Sequence, residues 1–174
     1  MSHDLSPHPG SPAPEFLLRD LDGHPHALSH YHGRVVVLNF WSAECEWSKR
    51  ADAALAEWKP GWGSELEWIS IAPNANENLD QLRTEADRRG LPLILHDPDR
   101  TVADLYGAEM TPHFFVIDPT GVIRYAGALD DVTFRQTEPT RNYLKEAVDA
   151  VLAGEPPDAE NTQPYGCAIV YFAE

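Results

Sequence analysis

Cys45 and Cys167 are the only cysteines in this sequence and its most chemically capable side chains. Cys45 follows the apolar, β-branched run Arg34-Val35-Val36-Val37-Leu38-Asn39-Phe40-Trp41 and precedes apolar residues at helical spacing: Trp47, Ala51, Ala54, Leu55 and Trp58. A thiol at that junction sits at a helix N-terminus, where free backbone N–H groups and a partial positive charge favour the nucleophilic thiolate. A buried structural cysteine is the alternative use of such a position. Glu44 and Glu46 flank the thiol, and their negative charge opposes the helix-end effect. A lone thiol that attacks a disulfide or a peroxide becomes a mixed disulfide or a sulfenic acid, and a second thiol must resolve either product. Cys167 lies in Gln163-Pro164-Tyr165-Gly166-Cys167-Ala168-Ile169-Val170. The chain from Gly154 to Cys167, fully extended, spans on the order of 40 Å, enough to cross the face of a small domain. A resolving thiol and an inert tail cysteine are both open, and pair geometry decides between them.

The elements that must hold these residues can be read from periodicity. Residues 1–14, rich in Pro, Ser, His and Gly, lack any period and read as a flexible arm. Phe16-Leu17-Leu18, Asp22-Gly23 and His26-Ala27-Leu28 read as a hairpin with a tight turn. The run 34–41 is apolar at nearly every position, as in a central strand covered on both faces. The helix after Cys45 stops near Lys59-Pro60-Gly61. Leu66 to Ala72 reads as a second buried strand, and Leu79, Leu82 and Ala86 mark a helix closed by Gly90. A short strand over 91–95, a short helix over 101–106 and a strand over 114–117 follow. Asp118-Pro119-Thr120-Gly121 has the residues of a type I turn, leading to a strand over 122–125. The last helix carries Tyr143, Leu144, Ala147, Val148, Val151 and Leu152 on one face, with Gly154 placed to cap it. This order predicts an α/β domain over 15–154, a mixed sheet with helices on both faces and an N-terminal β-hairpin, then a tail over 155–174 that carries Cys167.

Composition narrows the function classes. The 174 residues make one domain of globular composition, 43% hydrophobic and 24% charged, and no apolar run reaches the length of a membrane span. A net charge of -15 repels phosphate backbones and anionic lipid, which argues against nucleic-acid and membrane partners. The opening MSHDLSPHPGSPAPE has neither the basic start nor the apolar stretch of a secretory signal, which reads as cytoplasmic. Histidines at 24, 26, 30 and 32 are candidate metal ligands, but His24 and His26 flank Pro25 beside an exposed turn, and no metal or other cofactor is expected.

The ordered motifs Pro14-Glu15-Phe16 with Asp22-Gly23, Gly33 to Trp41, Cys45 opening a helix, Met110-Thr111-Pro112, and Phe115-Val116-Ile117-Asp118 with Gly121 resemble the redoxins. These are thioredoxin-like proteins that include the alkyl hydroperoxide reductase and thiol-specific antioxidant group. The resemblance covers about Pro14 to Gly154 and implies a thioredoxin-like fold with Cys45 as nucleophile. It also implies a cis-proline loop at Thr111-Pro112 opposite the thiol, and a substrate surface made by Trp41, Trp47, Thr111 and Pro112. The sequence departs from the family at Cys45-Glu46-Trp47-Ser48, where Ser48 replaces the second helix cysteine and can only hydrogen-bond. Asn39 stands where thioredoxins place a buried acid. The segment around Gly166-Cys167 resembles the glycine-cysteine tail of some redoxins. In the related peroxiredoxins a Pro, a Ser or Thr and the Cys keep fixed spacing, with an arginine from elsewhere. Ser42 fits that pattern, Leu38 replaces the proline, and Arg124 or Arg50 is the available cation. His113, next after Pro112, either lines the site or begins a strand.

Three functions follow from the resemblance. One is a thiol-disulfide oxidoreductase using Cys45, with Cys167 resolving. The second is a peroxiredoxin-type thiol peroxidase using Cys45 and Ser42, and the third a redoxin-fold binding protein without catalysis. The implied partners are a disulfide-bearing protein, a peroxide or a low-molecular-weight thiol, with an external thiol reductant.

Overall fold

The structure, a computed structural model, describes residues 7–172. The strands and helices are β1 (Leu17–Asp20), β2 (Pro25–Ala27), β3 (Val35–Phe40), α1 (Glu46–Trp58), β4 (Leu66–Ala72), α2 (Leu79–Arg89) and β5 (Ile94–His96). They continue with α3 (Thr101–Tyr106), β6 (Met110–Thr111), β7 (His113–Ile117), β8 (Ile123–Gly127), α4 (Tyr143–Leu152) and β9 (Cys167–Ala168).

Seven strands form one mixed sheet in the order β2-β1-β5-β4-β3-β7-β8. Strand β3 pairs parallel with β4 and antiparallel with β7, and all six of its residues are buried, as a continuously apolar run requires of a strand covered on both faces. Because side chains alternate along a strand, Val35 and Val37 of β3 pack with Ala51 and Leu55 of α1 and with Leu144, Ala147 and Val148 of α4. Val36, Leu38 and Phe40 point the other way, onto Val102, Ala103 and Tyr106 of α3 and onto Phe16. Helix α2 adds a third cluster, Leu82 and Ala86 against Trp41, Ala72 and Ile94. Asn78 and Gln81 form a reciprocal cap at its start, and it ends at Gly90 as expected. The short strand read at 91–95 is shifted to Ile94–His96.

Strand β8 is an edge, and its free backbone is covered by two irregular segments rather than left exposed. Gly10 N–H donates to Ile123 O at 2.7 Å, Ile123 N–H to Ser11 O at 3.0 Å, and Ala13 N–H to Gly121 O at 2.9 Å. The flexible arm read over 1–14 is therefore corrected for residues 10–13, where the unpaired edge of β8 supplies partners that composition does not reveal; residues 1–6 lie outside the described residues. Farther along, Ala126 N–H donates to Glu160 O and Thr162 N–H to Ala126 O, both at 3.0 Å. A Cβ at Gly127 would overlap Thr162, so glycine is what lets the tail lie against β8. From there the tail crosses to the N-terminal end of α1. No helix among the described residues is long and apolar enough to cross a membrane.

Candidate active site

Cys45 is the N-cap residue of α1, with extended backbone angles, and its side chain is almost wholly buried. Cys45 Sγ accepts no cap hydrogen bond from the first turn, so the helix end acts on it through its partial positive charge. Glu44 and Glu46 are both exposed, where solvent screens them, and the Glu44 carboxylate is drawn toward α2 by Gln81 Nε2 at 3.0 Å.

The loop leading into Cys45 is held from both sides. The Glu77 carboxylate accepts from Ser42 Oγ at 2.6 Å, Ala43 N–H at 2.9 Å and Asn74 Nδ2 at 3.1 Å. The Arg89 guanidinium donates to Ala43 O at 2.5 Å and to Ser42 O at 3.4 Å. Hydrogen bonds to charged groups contribute about 1.5–3 kcal/mol each, so one acid from the β4–α2 loop and one base from α2 fix the loop that presents the thiol. Neither residue is legible as a site residue in sequence, because the loop atoms it bonds lie 34–47 positions away and form no local pattern with it.

Arg89 also pairs with Asp52 of α1 at 3.0 Å, where both side chains are nearly fully buried. Asp52 accepts from Trp41 Nε1 at 2.6 Å. Burial pushes the Asp52 carboxyl up from 3.8 to about 6, against the Trp41 and Arg89 hydrogen bonds and the Arg89 charge. The folded pKa lies above the unfolded one, so between about pH 4 and pH 6 the native state holds a proton that the unfolded chain has released. Stability therefore falls as pH rises through that window, by roughly 3 kcal/mol, and is flat above it. An Asp52→Asn variant is expected to lose this segment of the profile. Urea midpoints of both proteins across the window check it, and equal slopes would refute it.

Trp41, read as substrate surface, is corrected: its ring is fully buried under α2 with its N–H on Asp52. Trp47 is half-exposed, and its ring meets the ring of Tyr165 edge-on at 4.8 Å. Ser48 is buried and its Oγ accepts from Ser42 N–H at 3.2 Å, so it braces the loop. Ser42 donates its hydroxyl to Glu77. Arg50 is paired with Asp130 at 2.5 Å and Arg124 with Asp118 at 2.7 Å, so both cations of the peroxidase reading are engaged elsewhere. His113 begins β7 and stacks on Phe115 at 4.7 Å; burial pushes it down to about 4, so it is neutral at pH 7 and supplies no charge. Asn39 is buried on the α1 side of β3, and neither amide atom has a partner in the protein. Asp20, Asp22 and His24 converge at the N-terminal hairpin, but Asp20 already accepts from His26 Nε2 at 2.8 Å.

The Thr111-Pro112 bond is cis. Cys45 Sγ lies 3.4 Å from the Thr111 carbonyl oxygen, which places the loop against the thiol as the resemblance implies. Strand β9 of the tail pairs antiparallel with β6, Thr111 opposite Cys167 and Met110 opposite Ala168. Cys45 and Cys167 form a disulfide, with Cα atoms 6.2 Å apart and a sequence separation of 122. Ile169 is 4% exposed within the α3-side core, a burial that contributes about 2 kcal/mol to docking the tail.

The chain is similar to proteins of related chemistry. The thiol-disulfide oxidoreductase ResA of Geobacillus kaustophilus (strain HTA426) is 35% identical over 117 residues, which cover 66% of this chain and 66% of that relative. A Mycobacterium tuberculosis relative with a peroxiredoxin name is 31% identical over 71% of this chain and 78% of its own length. The crystal structure of a hypothetical protein of Sinorhizobium meliloti 1021 superposes with a TM-score of 0.83 at 29% identity, covering 99% of this chain and 98% of that one. A Chlorobium tepidum protein that carries a thiol:disulfide interchange protein DsbE name shares the fold, with a TM-score of 0.61 at 22% identity, covering 86% of this chain and 98% of that one. The fold is thioredoxin-like and Cys45 is positioned for redox chemistry. Residues 9–126 match the AhpC/TSA family, and with the cis-proline loop, the helix-start thiol and these relatives in agreement, this chain belongs to it.

Proposed function

We propose that this chain is a thiol-disulfide oxidoreductase that cycles between a Cys45–Cys167 disulfide and the dithiol. The observation that carries the reading is the tail cysteine bonded to Cys45 and held in strand register opposite Thr111. Cys167 supplies from the tail the second thiol that Ser48 cannot provide.

In the reducing direction the Cys45 thiolate attacks one sulfur of a substrate disulfide. The other substrate sulfur leaves as a thiolate with the bonding pair, and Cys45 is left in a mixed disulfide. The Cys167 thiolate then attacks Cys45 Sγ, the substrate's remaining sulfur leaves as a thiolate, and the internal disulfide forms. An external dithiol restores the enzyme. Cys167 is the more exposed of the two residues, so its sulfur is the one a reductant attacks, with Cys45 leaving as the thiolate favoured by the α1 N-terminus.

The peroxidase set does not assemble in the same way: Leu38 stands in place of the proline, Ser42 is tied to Glu77, and both candidate arginines are paired elsewhere. With glutathione disulfide, non-reducing mass spectrometry is expected to find the Cys45 and Cys167 peptides linked. A Cys167→Ser variant is expected to stall after one turnover with glutathione on Cys45; sustained turnover by that variant would exclude the resolving role.

A further inference from the structure

We propose that the Met110–Thr111 edge beside Cys45 selects extended peptides in which the reacting cysteine is preceded by glycine, with an aromatic residue two positions before it and an aliphatic residue two positions after. The inference rests on the thiol chemistry proposed for Cys45 and adds what that thiol selects. The tail is the chain's own copy of such a ligand, and its contacts define each position.

Immediately before the cysteine, a Cβ on Gly166 would overlap the Thr111 carbonyl oxygen and lie 2.9 Å from Pro112 Cδ. Neither atom is the far end of a flexible side chain. The Thr111 carbonyl is backbone packed 3.4 Å from Cys45 Sγ, two residues before β7 continues the chain into the sheet, so admitting a methyl group requires a costly backbone shift. One position earlier, the Tyr165 ring stands edge-on to Trp47, and its hydroxyl accepts from Phe134 N–H at 2.8 Å. The residue after the cysteine, Ala168, is exposed. Two positions after the cysteine, Ile169 enters the α3-side core while its N–H donates to Glu109 O at 3.0 Å. One residue further, only the backbone is read: Val170 N–H donates to Asn74 Oδ1 at 2.7 Å, and Val170 O accepts from Ala75 N–H at 3.0 Å.

The contacts run along the strand on both sides of the disulfide, which is more than delivering one tethered thiol requires. A foreign peptide that replaces the tail reacts by a balanced exchange. The Cys45 thiolate attacks the peptide cysteine sulfur of a mixed disulfide, the bond to the small thiol breaks, that thiol leaves as a thiolate, and a Cys45–peptide disulfide forms.

The test uses the full chain carrying Gly166→Ala and Cys167→Ser, which leaves Cys45 as the single thiol and lifts the tail off the edge. The probes are thionitrobenzoate mixed disulfides of the peptide Gln-Pro-Tyr-Gly-Cys-Ala-Ile and of its counterpart with alanine before the cysteine, with a small aromatic disulfide as control. After division by each peptide's rate with free glutathione, the glycine peptide is expected to react about tenfold faster or more, as a steric clash at a fixed backbone implies. The Cys167→Ser protein, whose tail stays as a competitor, is expected to give the same ratio with both rates lower, which covers poor folding of the double variant. Equal peptide rates with a reactive control overturn the selectivity and leave the thiol chemistry standing. An inert control in both variants overturns the proposed function and the selectivity with it.

Discussion

Cys45→Ser is expected to abolish exchange, with the rate of reducing a disulfide-bearing protein at the expense of dithiothreitol falling by on the order of a thousandfold or more. A serine hydroxyl is not ionised near neutral pH without a base, and the site offers none. Ser48 Oγ is bonded to Ser42 N–H, the Glu77 carboxylate is occupied by the 42–44 loop, and burial lowers His113 to about 4, which makes its imidazole a weak base. The N-terminus of α1 can stabilise a thiolate but cannot create an alkoxide. The matching control is Cys167→Ser, which keeps single-turnover attack by Cys45, so the two variants separate nucleophile from resolver. Exchange by Cys45→Ser above a tenth of the wild-type rate would place the chemistry on another group.

The second large effect is on stability. Opening the disulfide frees a loop closed across 122 residues, and the loop-closure entropy for that separation corresponds to about 5 kcal/mol, with measured disulfides spanning roughly 2–5 kcal/mol. The docked tail retains Ile169 in the core and its bonds to Glu109, Asn74 and Ala75, and residual structure in the unfolded chain brings the expected loss to about 3–4 kcal/mol. For a chain of this size that is a fall in Tm of roughly 10 °C. Calorimetry of the oxidised wild type against Cys167→Ser measures it. Amide exchange should accelerate from Tyr165 to Ala168, where β9 is anchored by the disulfide, and less at Ile169 and Val170, which keep their own partners. A Tm unchanged within about 2 °C would mean that the tail is held by packing alone.

Much of the fold was legible because its elements are amphipathic or uniformly apolar. The run Val35 to Phe40 reads as a central strand and is one, and the apolar positions from Ala51 to Trp58 place α1 and hence the helix-start thiol. The pairing of residues 10–13 with β8 was not legible, because a Pro- and Gly-rich segment has no period and its partner is an edge that exists only once the sheet has formed. Trp41 was misplaced for a related reason. An aromatic residue next to a reactive loop suits either surface or core, and only the presence of α2 and of Asp52 beneath it decides for core. Arg89, Glu77 and Asp52 carry no motif, since the loop backbone and the Ser42, Trp41 and α1–α2 side chains they bond are brought to them only by the fold.

The resemblance to the redoxins implied a proline loop facing Cys45; by itself the sequence determined an α/β domain with a cysteine at a strand–helix junction, no second cysteine on the helix, and one further cysteine far along the chain. These follow from local periodicity and residue type, which set which faces are apolar and which positions begin a helix. Only the tertiary structure decided that Cys167 reaches Cys45, in what register, and over which residues the tail lies. That depends on an edge made by Met110 and Thr111, on glycine at 166 to let two backbones meet, and on a core that accepts Ile169. Contacts across 122 residues are fixed by packing that no local pattern encodes.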